Sequence, residues 1–120
     1  MSGIAGFVTT NIEQSKAFST LEAMRDSLHH RVEFVDDELF HQSNVFVTRT
    51  NNNLIQKAAQ PCAKSGTYVW LDGELYNQEE LKTSAANVSE SDPEILLRLY
   101  RKDKSLSFLN KIDGLFAAVI

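Results

Sequence analysis

The sequence has little of several residue types that mark specialised classes of protein. Its 120 residues include one cysteine, Cys62, so an internal disulfide is excluded and a reducing, cytoplasmic location is expected. The three histidines are scattered, and together with the single cysteine they give no spacing typical of metal ligands. We therefore expect neither a metal nor another cofactor.

Long apolar runs and an excess of positive charge are also missing. No run approaches the roughly 20 residues that a membrane helix needs, and no basic segment followed by an apolar core marks a signal peptide. The formal net charge of -4 argues against a nucleic-acid partner, because surfaces that bind phosphate backbones are basic. The composition, 42% hydrophobic and 23% charged, is ordinary for a globular protein. We expect one soluble domain, residues 1–120, with no membrane partner.

The order of apolar and polar segments favours an α+β fold in which helices pack on a largely antiparallel sheet. Ser15 is predicted to cap a helix that runs to about Arg31, whose last residues suit the negative pole of the helix dipole. Residues 91–94, Ser-Asp-Pro-Glu, have the form of a capping box that starts a helix ending near Lys102. The other expected elements are strands at 3–9, 32–34, 38–41, 44–50 and 114–120, short helices at 78–83 and 105–110, and loops at 60–66 and 87–92.

Residues 68–77, Tyr-Val-Trp-Leu-Asp-Gly-Glu-Leu-Tyr-Asn, are the strongest candidate for a buried strand. Asp72 and Gly73 lie between two apolar runs, which by itself is a strong signal for a hairpin turn. The glycine is also flanked by two carboxylates, those of Asp72 and Glu74. The local pattern predicts a hairpin, and a functional interpretation depends on the rest of the chain.

The strand predicted at 44–50 carries one positive charge. Period-two alternation puts Val45, Val47 and Arg49 on one face, with Asn51 following if the strand continues. An isolated arginine in such a pattern is usually a solvated residue of an edge strand. The three asparagines at 51–53 are predicted to form a turn, because asparagine tolerates left-handed backbone conformations.

Five segments match the motifs of one family in order and spacing. They are Met-Ser-Gly-Ile-Ala-Gly-Phe at 1–7, the helix ending His-His-Arg at 21–31, Trp-Leu-Asp-Gly-Glu-Leu-Tyr-Asn at 70–77, Ser-Asp-Pro-Glu at 91–94 and Ile-Asp-Gly-Leu-Phe at 112–116. In these segments the chain resembles the class II glutamine amidotransferase domains found at the N-terminus of the asparagine synthetase family. The resemblance covers almost the whole chain, with residues 32–64 poorly matched.

The resemblance implies an N-terminal-nucleophile hydrolase fold, an αββα sandwich of antiparallel sheets and helices. In the family, removal of the initiator methionine makes residue 2 the N-terminal nucleophile, which attacks the glutamine amide with its own α-amino group as base. Asp72 and Gly73 match the positions of the oxyanion donors, and Glu74 and Asp92 match positions that bind the substrate's ammonium group. The released ammonia passes to an ATP-dependent synthetase, and this sequence has no phosphate-binding loop of its own.

Several matched positions depart from the family's pattern. Ser2 stands where the family has cysteine, and a hydroxyl is a far poorer nucleophile than a thiol near neutral pH. Asp72 stands where the family has the oxyanion asparagine, and an ionised carboxylate offers acceptors but no donor. A gapless match puts Asn51 in the column of the carboxylate-binding arginine, so Arg49, on the same strand face, is the candidate substitute. Residues 32–34 replace the family's Gly-Pro-Asp.

These departures predict a degenerate glutaminase-like domain with little or no glutamine hydrolysis, acting as scaffold or partner of an ATP-dependent amide-forming synthetase. A first alternative is an active amidohydrolase in which Ser2 cleaves glutamine or a similar amide. A second is a self-associating assembly module, a homodimer or larger homo-oligomer, because the apolar strand at 114–120 suggests a truncated domain with an exposed sheet edge. For Glu74 and Asp92 a structural role is the alternative, with Asp92 capping the helix that it opens.

Overall fold

The structure, a computed structural model, describes residues 2–82 and 89–120 of the chain. The chain divides into two compact units, Met1–Gln60 and Pro61–Ile120, each containing an antiparallel sheet and at least one helix. The predicted α+β class is confirmed, whereas the αββα stacking and the truncation remain predictions. Among the helices of the described ranges, none is long and apolar enough to cross a membrane.

The sheet of the first unit is built around its longest strand, β4. Strand β1 pairs antiparallel with one edge of β4, and β2 and β3 pair antiparallel with the other edge. Helix α1 covers one face, because Ala17 and Leu21 lie one turn apart on it and pack against Phe46. The elements are β1 (Gly3–Val8), α1 (Gln14–Leu28), β2 (Val35–Asp36), β3 (Phe40–Gln42) and β4 (Val45–Asn51).

Helix α1 differs from its prediction at both ends. Its N-cap is Glu13, so Ser15 lies within the first turn and does not cap the helix. The helix ends at Leu28, earlier than predicted. His29 is the C-cap residue, and its Nδ1 lies 3.1 Å from both carboxylate oxygens of Asp36. This contact joins the end of α1 to strand β2 and gives His29 a partner besides the helix dipole.

The short strands that precede β4 lie later in the chain than the sequence predicts. Residues 32–33 form a turn, and the strand expected at 32–34 begins at Val35. The strand expected at 38–41 is Phe40–Gln42. Asp36, which the sequence places between strands, lies within β2 and pairs with Thr50 of β4, and its carboxylate accepts a hydrogen bond from Thr50 Oγ1 at 2.6 Å. The partner of this aspartate is far away in sequence, so local patterning could not find it.

The second unit consists of a three-stranded sheet in the order β5, β6, β7, covered on one face by helix α3. The core combines Val69, Leu71 and Leu75 of β6 with Ile95 and Leu96 of α3. The elements are β5 (Cys62–Lys64), β6 (Thr67–Leu75), α2 (Gln78–Leu81), α3 (Asp92–Lys102), a 3-10 helix (Ser107–Lys111) and β7 (Gly114–Val119). The end of the helix predicted at 78–83, Thr83, lies outside the described residues, as do residues 87 and 88 of the predicted loop.

The hairpin predicted at Asp72–Gly73 is wrong. Both residues lie within β6, which continues to Leu75 and pairs with β7 along its length. The tight turn lies instead at Ser65 and Gly66, whose φ angles of +50° and +77° are left-handed, and it connects β5 to β6. The loop predicted at 60–66 therefore contains a strand. Pairing with β7, far along the chain, overrides the local turn signal at Asp72–Gly73.

Strand β7 is more exposed than the buried strand predicted at 114–120. It is an edge strand of the described sheet, and Phe116 is the residue that packs, partly buried, against the core under α3. Leu115 is 74% exposed, and Val119 and Ile120 are exposed as well. The apolar composition predicted the strand correctly. It could not predict which face of the strand would be buried against the core.

Helix α3 confirms the predicted capping box. Its N-cap is Ser91, whose backbone N–H and hydroxyl both donate to Glu94 Oε2 at 2.7 Å. Ile95 and Leu96 are buried, and Leu99 packs against the same core. These hydrogen bonds hold the pKa of the Glu94 carboxyl below its usual value, since they favour the charged form.

A pH dependence of stability follows from this lowered pKa. Because the folded state favours ionised Glu94, its contribution is complete above the ordinary value of 4.5 and is lost as the pH falls through the lowered pKa. We expect wild type to exceed Glu94→Gln in free energy of unfolding near pH 7 by less than about 1 kcal/mol, since this carboxylate is exposed, and the difference to vanish in acid. Urea unfolding at a series of pH values measures it. A pH-independent difference would contradict the assignment.

Candidate functional site

Ser2 lies immediately before β1 and is half-buried. Gly3 pairs with Thr50 and Ile4 with Arg49, so the start of β1 runs beside the end of β4. Side chains alternate along a strand, so Ser2, continuing the register, lies on the same side of the sheet as Ile4 and Arg49. In the first unit, the structure therefore places two predicted site residues, Ser2 and Arg49, at one end of one sheet face.

Arg49 is a buried residue of the central strand and not the solvated edge residue that its isolation in the sequence suggested. Its side chain has no accessible surface. Its Nε donates to Asp37 Oδ2 at 2.5 Å, and its Nη2 donates to the carbonyl oxygen of Ala58 at 3.0 Å. The carbonyl oxygen of Gln56 accepts from both Nη atoms at 3.3 Å. The guanidinium is thus bound by groups of this chain, and its role towards a substrate carboxylate remains a prediction.

Asn51, the residue that a gapless match puts in the arginine column, has a structural role. It is buried at the end of β4, and its Oδ1 accepts the backbone N–H of Asn53 at 2.8 Å. Asn53 has a φ of +55°, so the predicted asparagine turn is confirmed.

Asp72, Gly73 and Glu74 lie in β6 opposite Ala117, Phe116 and Leu115 of β7. Asp72 and Glu74 alternate with the buried Leu71 and Leu75, so they share the sheet face that points away from α3. Trp70, the one tryptophan of the sequence, is buried on that same face two residues before Asp72. Both carboxylates are half-buried, and an acidic pair therefore borders the glycine at the predicted oxyanion position.

Gly73 is required by the close approach of β7. Its φ is +107°, which side-chain-bearing residues rarely adopt. A Cβ at this position would lie 2.1 Å from the carbonyl oxygen of Leu115 and 2.8 Å from the Cα of Phe116. The backbone geometry therefore requires glycine at this position, whether or not the domain is catalytically active.

Asp92 is the first residue of α3, and Ser91, not Asp92, caps the helix. The Asp92 side chain is buried, and its Oδ2 accepts the backbone N–H of Leu75 at 3.0 Å. This hydrogen bond fixes the start of α3 to the end of β6, next to Glu74. Asp92 thus has a structural partner, while ammonium binding by Glu74 and Asp92 remains a prediction.

Asn77 also positions the acidic segment, a role that its place at the end of the matched motif did not predict. Its Nδ2 donates to the carbonyl oxygen of Lys111 at 2.9 Å, and its Oδ1 accepts the N–H of Asp113 at 2.8 Å. The N–H of Tyr76 donates to the carbonyl oxygen of Asp113 at 2.7 Å. These bonds fix the register in which β7 enters beside Glu74.

Cys62 is not an alternative nucleophile. Burial, followed by the nearby Glu94 carboxylate, raises the pKa of its thiol above the ordinary 9.0. The thiol is therefore protonated at neutral pH, and the protonated form is a poor nucleophile. Among the described residues, no group of three or more His, Cys, Asp or Glu side chains forms a metal site.

The chain belongs to the glutamine amidotransferase domain family, whose model matches residues 1–120. It is 32% identical over 130 residues to "Asparagine synthetase [glutamine-hydrolyzing] 2" of Bacillus subtilis (strain 168). That match includes the whole of this chain and 17% of the relative's length, so the chain spans about a sixth of the relative. No solved structure matches it. The predicted family is confirmed.

Replacing Gly73 by alanine tests the requirement for this glycine. We expect Gly73→Ala to lower the free energy of unfolding by at least about 2 kcal/mol more than Gly66→Ala, measured in urea. Gly66 is the matched control because its φ is also positive but nothing lies within 4 Å of an added Cβ. Equal losses would show that conformation alone, without the approach of β7, accounts for the glycine.

Proposed function

We propose that this domain is a degenerate glutaminase-like domain that hydrolyses little or no glutamine and acts as scaffold or partner of an ATP-dependent amide-forming synthetase. The observation that carries the proposal is Asp72 beside Gly73 in β6, with Glu74 on the same face. Amide hydrolysis by an N-terminal nucleophile passes through a tetrahedral oxyanion that needs donors. A carboxylate in the donor position accepts hydrogen bonds and repels the developing negative charge.

A further observation supports the loss of hydrolysis. Ser2 offers a hydroxyl where the family has a thiol, which lowers nucleophilicity near neutral pH. The framework of the second unit is nevertheless kept, with Gly73 and Asn77 fixing the β6–β7 register. Retained packing beside altered chemical groups is the pattern expected when a fold persists as a scaffold.

The partner follows from the relative's printed name. An asparagine synthetase that hydrolyses glutamine couples this kind of domain to amide formation, and the chain matches 17% of that protein. We infer a synthetase that activates a carboxylate with ATP, in the same polypeptide or as a separate chain, and a cytoplasmic location. If the domain binds a small molecule, a glutamine-like amide is the class that fits.

A glutaminase assay with matched variants tests the proposal. Mass spectrometry first verifies that Met1 has been removed, because the α-amino group of Ser2 must be free to act as base. We expect ammonia release by wild type to equal that of Ser2→Ala. Ser2→Cys should stay near background while Asp72 is present, and Ser2→Cys with Asp72→Asn should exceed Ser2→Cys by about 10²-fold, because a donor is restored.

The opposite result in wild type would favour the alternative function. Release of ammonia that disappears in Ser2→Ala would identify Ser2 as the nucleophile of an active amidohydrolase and overturn the scaffold proposal. The place of Ser2 at the end of a sheet face, beside β4, is the observation that keeps this alternative open.

Self-association is a second proposed property, supported by strand β7. Its exposed edge and the exposed side chains of Leu115 and Val119, which share one face of the strand, form an apolar surface of the kind that associates. We expect light scattering at micromolar concentration to show a homodimer or larger species, and Leu115→Lys to shift it towards monomer. Lys104→Glu, an exposed charge change outside the sheet, is the control. A wild type that is strictly monomeric would contradict this prediction.

A further inference from the structure

The ion pair between Arg49 and Asp37 is held in place from two directions. The Nε of Arg49 donates to Asp37 Oδ2 at 2.5 Å, and the backbone N–H of Asp37 donates to the carbonyl oxygen of Arg49 at 2.9 Å. Both side chains are almost without accessible surface, 0% for Arg49 and 4% for Asp37. A buried guanidinium needs a compensating charge, and Asp37 supplies it from within the chain.

A substrate carboxylate would need the donors that already have partners in this structure. Arginine binds a carboxylate through the N–H groups of its planar fork. Here one side of the fork faces Asp37, and the Nη atoms face the carbonyl oxygens of Gln56 and Ala58. A second carboxylate at Arg49 would also add an uncompensated negative charge to a buried pair that is neutral, and that is unfavourable.

We propose that Asp37 is a specificity-determining residue: its carboxylate is bound by Arg49 in place of the carboxylate of a ligand. The domain therefore does not select amides that carry a free α-carboxylate, such as glutamine, over amides that lack one. The inference rests on the proposed glutaminase-like function, and it takes Arg49, the candidate substitute for the family's carboxylate-binding arginine, as the residue that would bind a ligand carboxylate. Asp37 was not a candidate in the sequence, where it reads as one of two acidic residues between strands.

The first test removes the internal carboxylate and adds one back. In the full chain, Asp37→Ala leaves the guanidinium of Arg49 without its counter-charge and opens a space the size of a carboxyl group. Sodium formate at about ten times its Kd should then raise the Tm of Asp37→Ala by about 5 °C relative to sodium chloride at equal ionic strength. Formate should not raise the Tm of wild type, because the Asp37 carboxylate already fills the space. It should not raise the Tm of the double variant Asp37→Ala/Arg49→Met, because no guanidinium is present to bind it.

A formate response that is absent from Asp37→Ala, or that persists in the double variant, would overturn the inference. If Asp37→Ala does not fold, the wild-type ligand comparison decides alone. L-glutamine is compared with 4-aminobutanamide, which is glutamine without its α-carboxylate, by isothermal titration. Equal responses, including no response to either, are expected. Wild type that binds glutamine at least about tenfold more tightly, with the preference lost in Arg49→Met, would show that Arg49 still selects a ligand carboxylate.

The same ligands separate this inference from the proposed function. Ammonia release from both amides at similar rates, dependent on Ser2, would overturn the scaffold proposal and leave the role of Asp37 intact. An Arg49-dependent preference for glutamine without ammonia release would overturn the role of Asp37 and leave the scaffold proposal intact.

Discussion

The close approach of β7 to Gly73 is the constraint on which the second unit depends. With no side chain at that position, the two backbones pair without interruption from Trp70 opposite Val119 to Leu75 opposite Gly114. That register brings the N–H of Leu75 to the carboxylate of Asp92 and sets the acidic pair on the face away from α3. A motif that resembles catalytic machinery is therefore also a packing requirement, so its persistence is no evidence of activity.

The charged residues of the candidate site differ in how deeply they are buried and in what they contact. Arg49 and Asp37 are buried together as an ion pair within the first unit, so burying them does not require a ligand. Asp72 and Glu74, by contrast, are half-buried and lie together on one face. In the proposed function, the internally neutralised arginine and the acidic residue at the expected oxyanion position both act against binding and hydrolysing a zwitterionic amide.

The parts of the fold that could be predicted from the sequence are those set by local chemistry. The capping box of α3 and the asparagine turn after β4 each involve residues a few positions apart, and both are confirmed. The burial of Arg49, the strand role of Asp36 and the pairing of Gly73 with Phe116 depend on partners far along the chain. Strand β5 was missed because three residues give no readable alternation, although the Ser65–Gly66 turn beside it carried a signal.

The position of Trp70 has a practical consequence. A sole indole, buried in β6 two residues from Asp72, dominates the intrinsic emission of the domain. Its wavelength maximum and quenching by acrylamide therefore report on solvent entry at the acidic face without any label. Stopped-flow mixing can follow the sheet of the second unit separately from the first, which has no tryptophan.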